Sequence, residues 1–102
     1  MDELVSALAT TQYSFALYAW DRAPSGDYGV ISMQESSDFL ADNKHGESGT
    51  SFYVDYFTRD ASETVKTTIE AALSAFPFAL RSVQFESDTK YIHYEWVVGI
   101  YG

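Results

Sequence analysis

The residues of this chain that could carry out chemistry are few. It contains two histidines, His45 and His93, and no cysteine, which excludes disulfides, thiolate zinc sites and cysteine nucleophiles. Within a predicted strand, only His93 and Glu95 have the i, i+2 spacing that places a histidine and an acid on one face. Such a pair could hold a metal, but no further residue has a spacing that supplies a third ligand. We therefore interpret His93 and Glu95 as an ion pair on a strand surface, and we expect no metal or cofactor.

Catalysis by the remaining polar residues has little support in the sequence. Acid–base catalysis needs two carboxylates that converge in a cleft with separated pKa values, whereas 15 acids in a chain of this length form close pairs by chance. Serine is expected in turn-like segments for structural reasons, and such segments contain Ser25, Ser36, Ser37 and Ser48. No phosphate-binding glycine loop, nucleophile elbow or dinucleotide fingerprint is present. We expect that the protein is not an enzyme.

Length and composition indicate one packed domain over residues 1–102. Hydrophobic residues make up 46% of the chain, but no apolar run approaches the roughly 20 residues that span a bilayer. The first residues contain two acids and no base, which is wrong for a secretory signal, so we expect a soluble protein that is not exported. The formal charge of −9 disfavours nonspecific binding to nucleic acid, because phosphates are bound by clustered cations.

The hydrophobic periodicity predicts the order helix, three strands, helix, two strands. A short helix is predicted after Asp2 and Glu3. The main helix is predicted to begin at Asp60, which has capping-box spacing to Glu63, and to end before Pro77. The strands are predicted over residues 13–20, 28–35, 50–59, 80–86 and 90–101. The first strand is apolar on both faces, which predicts that it is covered on two sides, and a turn-rich segment predicts a hairpin to the second.

These elements predict a two-layer α+β domain with a mostly antiparallel sheet, one main helix packed on one face and a short N-terminal helix. The helix before the fourth strand need not be a parallel crossover. The other sheet face still carries Tyr and Phe side chains, so we expect it to be covered by the first helix or by a partner chain. The chain has eight Tyr, seven Phe and two Trp, more than a core of this size requires, and the surplus would suit an interface.

Five segments taken together resemble a known family. They are YGVI at residues 28–31, DFLADNK at 38–44, FYVDYFTRD at 52–60, ETVKTTIEAAL at 63–73 and FESDTKYIHYEWV at 85–97. Their order and content resemble the tail-completion proteins of long-tailed bacteriophages, which are also called tail terminators or minor tail proteins. The resemblance covers most of the chain and is loosest over the first 27 residues.

The resemblance implies a structural virion protein whose α+β subunits assemble into a ring, usually a homohexamer. Such a ring caps the tail tube and joins it to the head, so the implied partners are other copies of the chain, the tail tube protein and the head–tail connector protein. DNA would pass through the ring without specific binding, which an acidic wall would favour. No residue is catalytic in that family. The implied location is the virion tail, and the host cytoplasm during assembly.

Residues 38–46 would then form a contact loop between the second and third strands. We expect Phe39 and Leu40 to anchor this loop, because adjacent large apolar residues are unfavourable in water. Polar side chains that would lie exposed at or near a contact with another subunit or the tail tube are Asp42, Asn43, Lys44 and His45. The alternative is an ordinary strand connection, with Phe39 and Leu40 in the core of the monomer.

Two other functions compete with the ring-forming protein. An acidic inhibitor that mimics nucleic acid would concentrate its carboxylates in a stripe, whereas the acids of this chain are interleaved with Lys and Arg along its length. A small α+β enzyme would need a deep pocket, which a chain of this length could build at a subunit boundary. A pocket that contains His45 or His93 would favour the enzyme.

The loop hypothesis is tested by reversing the charges of Asp42 and Lys44 in one double variant. We expect this variant to fold normally but to assemble poorly, because charges at a contact rim govern docking more than folding. By contrast, Phe39→Ala should destabilise the fold by about 3–5 kcal/mol if Phe39 lies in the core. Circular dichroism and urea unfolding measure folding, and light scattering measures assembly. Normal assembly of the double variant would indicate that residues 38–46 serve only as a connection between strands.

Overall fold

The computed structural model describes residues 2–20, 22, 26–33 and 49–101. Its elements follow the predicted order of one helix, three strands, one helix and two strands. They are α1 (Asp2–Ala9), β1 (Phe15–Leu17), β2 (Tyr28–Met33), β3 (Gly49–Thr58), α2 (Thr64–Leu73), β4 (Phe78–Glu86) and β5 (Tyr91–Tyr101). The predicted two-layer α+β fold is confirmed. Within the described parts of the chain, no helix is long and apolar enough to span a membrane.

The five strands form one sheet in the order β1-β2-β3-β5-β4. Every neighbouring pair is antiparallel except β1 and β2. Because β5 lies between β3 and β4 and is antiparallel to both, β3 and β4 run parallel to each other. The connection through α2 therefore crosses over β5.

The predicted hairpin between the first two strands is wrong, because β1 pairs with β2 in parallel. The first strand is also much shorter than predicted and lies at the edge of the sheet. It ends at Tyr18, whose φ of 69° turns the chain, and the Ala19 N–H donates to the Leu17 carbonyl across this turn. Leu17 is 49% exposed and Tyr18 is 58% exposed, so the expectation of a strand covered on two sides is also wrong.

Both helices pack on the same face of the sheet and enclose the hydrophobic core with it. Alternate residues of the strands point to this face, as the period of two requires. The helices contribute Leu4, Leu8, Val65, Ile69 and Leu73, and the sheet contributes Ile31, Phe52, Val54, Tyr56, Tyr94, Trp96 and Val98. Full burial stabilises each large apolar side chain by about 1.5–3 kcal/mol, so these residues carry most of the folding energy.

A buried polar contact joins α2 to the centre of the sheet. Trp96 is fully buried, and its indole Nε1–H donates to Glu70 Oε2 at 3.0 Å. The other oxygen of Glu70 accepts a hydrogen bond from Lys66 Nζ at 3.1 Å. Because an indole N–H without a partner would be costly in the core, this contact favours one position of α2 over β5.

The start of α2 differs from the predicted capping box. Glu63 occupies the N-cap position and makes no side-chain capping bond, and the helix begins at Thr64. Asp60 instead accepts a hydrogen bond from the Ser62 backbone N–H at 2.9 Å, which stabilises the turn ahead of the helix. This backbone bond, with a further one from the Ser62 side chain, lowers the pKa of Asp60.

Gly29 allows β1 to dock on β2. The Phe15 ring lies over Gly29, and a Cβ added at Gly29 would come within 2.4 Å of that ring and 2.9 Å of the Tyr56 ring. Phe15 and Tyr56 are themselves in contact, with ring centroids 5.4 Å apart. The glycine therefore makes the space in which an aromatic side chain from the edge strand completes the core.

We expect Gly29→Ala to destabilise the fold by about 1–3 kcal/mol, because Phe15 must leave its place over β2. Gly26→Ala is the matched control, since a Cβ at Gly26 would meet nothing within 4 Å. Urea unfolding followed by tryptophan fluorescence measures both variants. Equal midpoints for the two variants would show that the contact between Phe15 and Gly29 does not limit stability.

Candidate functional site

The sheet face opposite the helices carries polar and aromatic side chains in its centre. We call it the open face, because none of the described elements packs on it. Its central side chains come from β3 and β5 and are half-buried: Tyr53, Asp55, Phe57, His93 and Glu95. Since α1 packs beside α2 on the other face, the expectation that α1 might cover this face is wrong.

Three of these residues converge into what we call the Asp55–His93–Glu95 cluster. His93 Nε2 lies 2.7 Å from Asp55 Oδ1, and Asp55 lies directly opposite Glu95 in the pairing of β3 with β5. One potential ligand atom from each residue lies within 4.8 Å of the others. The exposed fractions of the side chains are 14% for Asp55, 20% for His93 and 23% for Glu95. The cluster is therefore partly shielded from water and held by the two central strands.

The predicted ion pair between His93 and Glu95 is replaced by different pairs. His93 contacts Asp55, whereas Glu95 Oε1 faces Arg81 Nε of β4 at 3.7 Å. Residues i and i+2 of one strand are about 6.6 Å apart, but directly opposed residues of paired strands have Cβ atoms about 4.5–5.5 Å apart. Cross-strand partners therefore take precedence over partners in the same strand.

Asp55 is the third potential ligand that the sequence analysis did not find. It lies 38 positions before His93, so no local spacing could reveal it. The available signal was a carboxylate within the apolar strand of residues 52–58, where burial disfavours an unpartnered charge. Such a residue indicates a partner on a neighbouring strand without identifying it.

Aromatic rings surround the cluster on the open face. The Phe57 ring stacks on the imidazole of His93 with centroids 4.2 Å apart, and Tyr28 stacks on Phe57 at 4.7 Å. The Arg81 guanidinium lies 5.1 Å from the centroid of the Tyr53 ring. These contacts restrict the orientation of the imidazole and bring a cation to the edge of the cluster.

The pKa values of His93 and Glu95 are both raised. The hydrogen bond to Asp55 raises the pKa of His93 against the opposing effect of burial, and the charges of Asp55, Glu86 and Glu95 raise it further. Burial, followed by the hydrogen bond and charge of Asp55, raises the pKa of Glu95, while Arg81 and His93 lower it. The carboxylate of Asp55 therefore favours a proton on both of these neighbours.

Apolar side chains are also exposed at both edges of the sheet. We call Phe78, Val83 and Phe85 the β4 edge, and these side chains are 36%, 51% and 63% exposed. The strand shifts register between Leu80 and Ser82, and this irregularity keeps Val83 and Phe85 on the helix-bearing face. Without the extra residue they would point to the open face.

The opposite edge of the sheet contains an apolar pocket between α1 and β1. We call it the α1–β1 pocket. It has a volume of about 130 Å³ and is lined by Val5, Leu8, Ala9, Tyr13, Phe15, Leu17 and Ile31. Val5 at its rim is 38% exposed and Leu17 is 49% exposed. Each end of the sheet therefore presents apolar surface of a different shape.

The predicted contact loop lies between β2 and β3 in the sequence. Its residues lie outside the described parts of the chain: Phe39, Leu40, Asp42, Asn43, Lys44 and His45. Their roles stay predictions. Of the two histidines, only His93 lies in a described segment, and it is part of the Asp55–His93–Glu95 cluster.

Comparison with known proteins identifies no family for this chain. No protein-family model matches it, and no curated protein matches it. A crystal structure from Akkermansia muciniphila is similar, with a TM-score of 0.49 and 10% sequence identity. The similarity covers 99% of this chain and 47% of that chain, so this chain spans about half the length of its neighbour. A likeness at this level carries no argument about activity or partners.

We expect Asp55→Asn to lower the pKa of His93, because the variant removes the carboxylate that holds the imidazolium. A raised pKa in the folded state means that this contact stabilises the fold below pH 6.5, and that the stabilisation is lost as pH rises through the folded pKa. The free energy of unfolding should therefore differ more between wild type and variant at pH 5.5 than at pH 8.5. NMR titration of the His93 ring protons and urea unfolding, both with chelator present, measure these effects.

A spectrum of His45→Gln identifies which of the two histidine signals belongs to His93. Glu86 and Glu95 also act on His93 and remain in the variant, so the pKa shift isolates the contribution of Asp55. An unchanged His93 midpoint in Asp55→Asn would contradict the described hydrogen bond.

Proposed function

We propose that this protein is a structural virion protein, a ring-forming tail terminator or completion protein. Its ring caps the tail tube and joins it to the head–tail connector. The observation that carries this proposal is the exposure of two different apolar surfaces at opposite edges of one sheet, the β4 edge and the α1–β1 pocket. Neighbouring subunits meet head to tail through these two surfaces.

A closed ring needs this arrangement, because each subunit must use one surface toward the preceding copy and a different one toward the next. Phe85 projects from the β4 edge and is 63% exposed, an unfavourable position for an aromatic ring in water. The α1–β1 pocket has a volume of about 130 Å³, and apolar cavities of about 150 Å³ bind benzene. The pocket of one subunit therefore suits an aromatic side chain such as Phe85 of its neighbour.

The backbone of β4 supports the same assignment. This strand has nine residues and pairs with β5 on one side, and no described strand pairs with its other side. Stable monomers protect such edges with charges, prolines or very short strands. The charged residues of β4 are Arg81 at the register shift and Glu86 at the end, so the stretch between them is open to a second copy.

The partners and location follow from the proposed ring. The proposed partners are other copies of the chain in a hexamer, the tail tube protein and the head–tail connector protein. The proposed location is the virion tail and, during assembly, the host cytoplasm. The net charge of −9 supports DNA passage without specific binding, because an acidic wall repels phosphates. Residues 38–46 would add polar contacts at the tube or at the neighbouring subunit.

Charge placement supports the ring over an acidic mimic of nucleic acid. A mimic needs exposed carboxylates in a stripe. Among the described acids, Asp55 is engaged by His93, Glu70 by Lys66 and Trp96, and Asp27 by Thr58. These carboxylates stabilise the domain internally and lie in different parts of it.

We expect the wild-type chain to form a closed ring of six subunits, and Phe85→Ser to shift it toward monomer. Loss of a buried aromatic anchor costs about 2 kcal/mol or more at an interface, which corresponds to roughly a thirtyfold weaker subunit contact. Native mass spectrometry and light scattering across a concentration series measure the distribution.

Gln84→Ser is the matched control, because Gln84 neighbours Phe85 in β4, is also exposed and points to the open face. It should assemble as wild type does, and circular dichroism should show both variants folded. Wild-type protein that stays monomeric at every concentration, free and with purified tail tubes, would refute the proposal.

A further inference from the structure

We propose that Asp55, His93 and Glu95 form a binding site for one divalent transition-metal ion of the zinc type. This site lies on the open face, away from the two sheet edges of the proposed ring contact. It is thus independent of the proposed function and differs from the expectation, based on sequence spacing, that no metal is bound.

The geometry of the cluster is close to that of a metal site. Its three potential ligand atoms lie within 4.8 Å of one another. Zinc bonds of about 2.0–2.2 Å place tetrahedral ligand atoms roughly 3.4 Å apart. All three residues stand on the paired central strands β3 and β5. Rotation of the two carboxylate side chains can therefore bring the ligand atoms to this spacing without movement of the backbone.

The electrostatics of the cluster favour a divalent cation. Asp55 and Glu95 lie directly opposite each other on neighbouring strands, an arrangement that is unfavourable for like charges. Arg81 compensates for only part of this repulsion, at 3.7 Å from Glu95, and its side chain is 53% exposed. Arg81 can therefore swing into solvent when a metal ion takes its place between the carboxylates.

The chemistry of the ligands selects the kind of metal. One imidazole and two carboxylates suit zinc and similar transition metals, whereas Ca²⁺ and Mg²⁺ prefer oxygen ligands alone. Phe57 stacks on His93 and limits rotation of the imidazole, so Nε2 stays directed toward Asp55. Three protein ligands leave one tetrahedral position for water or for a group from a partner.

The test is calorimetric titration of Zn²⁺ into the full-length chain at pH 7.5 after removal of metal by chelator. We expect saturable binding of one ion per chain, and at least tenfold weaker binding by His93→Gln and by Asp55→Asn. Equal concentrations of Mg²⁺ or Ca²⁺ should not compete. In NMR spectra of the wild type, Zn²⁺ should shift the His93 ring signals before those of His45.

His45→Gln is the matched control, because it removes the other histidine of the chain and should bind Zn²⁺ as wild type does. Circular dichroism confirms that each variant is folded, and the wild-type titration is decisive by itself if one does not fold. The proposal is overturned by any of three results: no saturable Zn²⁺ binding by wild type, equal affinity in His93→Gln, or equal affinity for Mg²⁺.

Discussion

The pairing of β3 with β5 is the interaction on which the rest of the structure depends. It extends over ten residue pairs at the centre of the sheet. Because side chains alternate between faces, one register places Val54 opposite Trp96 under the helices and Asp55 opposite Glu95 on the open face. A slip of one residue would move the carboxylates into the core and the core residues into water. Burial of the apolar side chains under the helices therefore also determines that Asp55 and Glu95 meet on the open face.

The two faces of this sheet have different physical characters. The helix-bearing face is dry and closely packed, and its buried indole N–H is satisfied by Glu70. The open face holds two carboxylates, an imidazole and several rings in partial contact with water. Ionisable groups in such a setting have altered proton affinity without the full cost of burial. The Asp55–His93–Glu95 cluster therefore lies on one side of the domain, and the main apolar core lies on the other.

The edges of the sheet have a third character. The sheet ends on one side at β4, a long strand with exposed apolar side chains, and on the other at β1, three residues long beside an apolar pocket. A small domain buries a limited share of its surface, so apolar groups at its edges remain available to other chains. The apolar residues at the edges are distinct from the Asp55–His93–Glu95 cluster, so the proposed assembly and the proposed metal binding can be varied independently.

The sequence by itself determined the elements whose signal is local. Alternation over residues 52–58 and 92–100 predicted β3 and β5, helical periodicity predicted α2, and their order indicated the two-layer α+β fold, because periods of 2 and 3.6 residues are encoded by neighbouring positions. Only the tertiary structure decided the parallel pairing of β1, the register shift in β4 and the approach of Asp55 to His93. These features depend on which distant segments pair with one another. The pairing that forms is the one that buries the apolar side chains of the whole domain best. Two of the three residues of the candidate metal site, His93 and Glu95, were thus visible as a spacing, whereas Asp55, which completes it, became evident only when β3 lay beside β5.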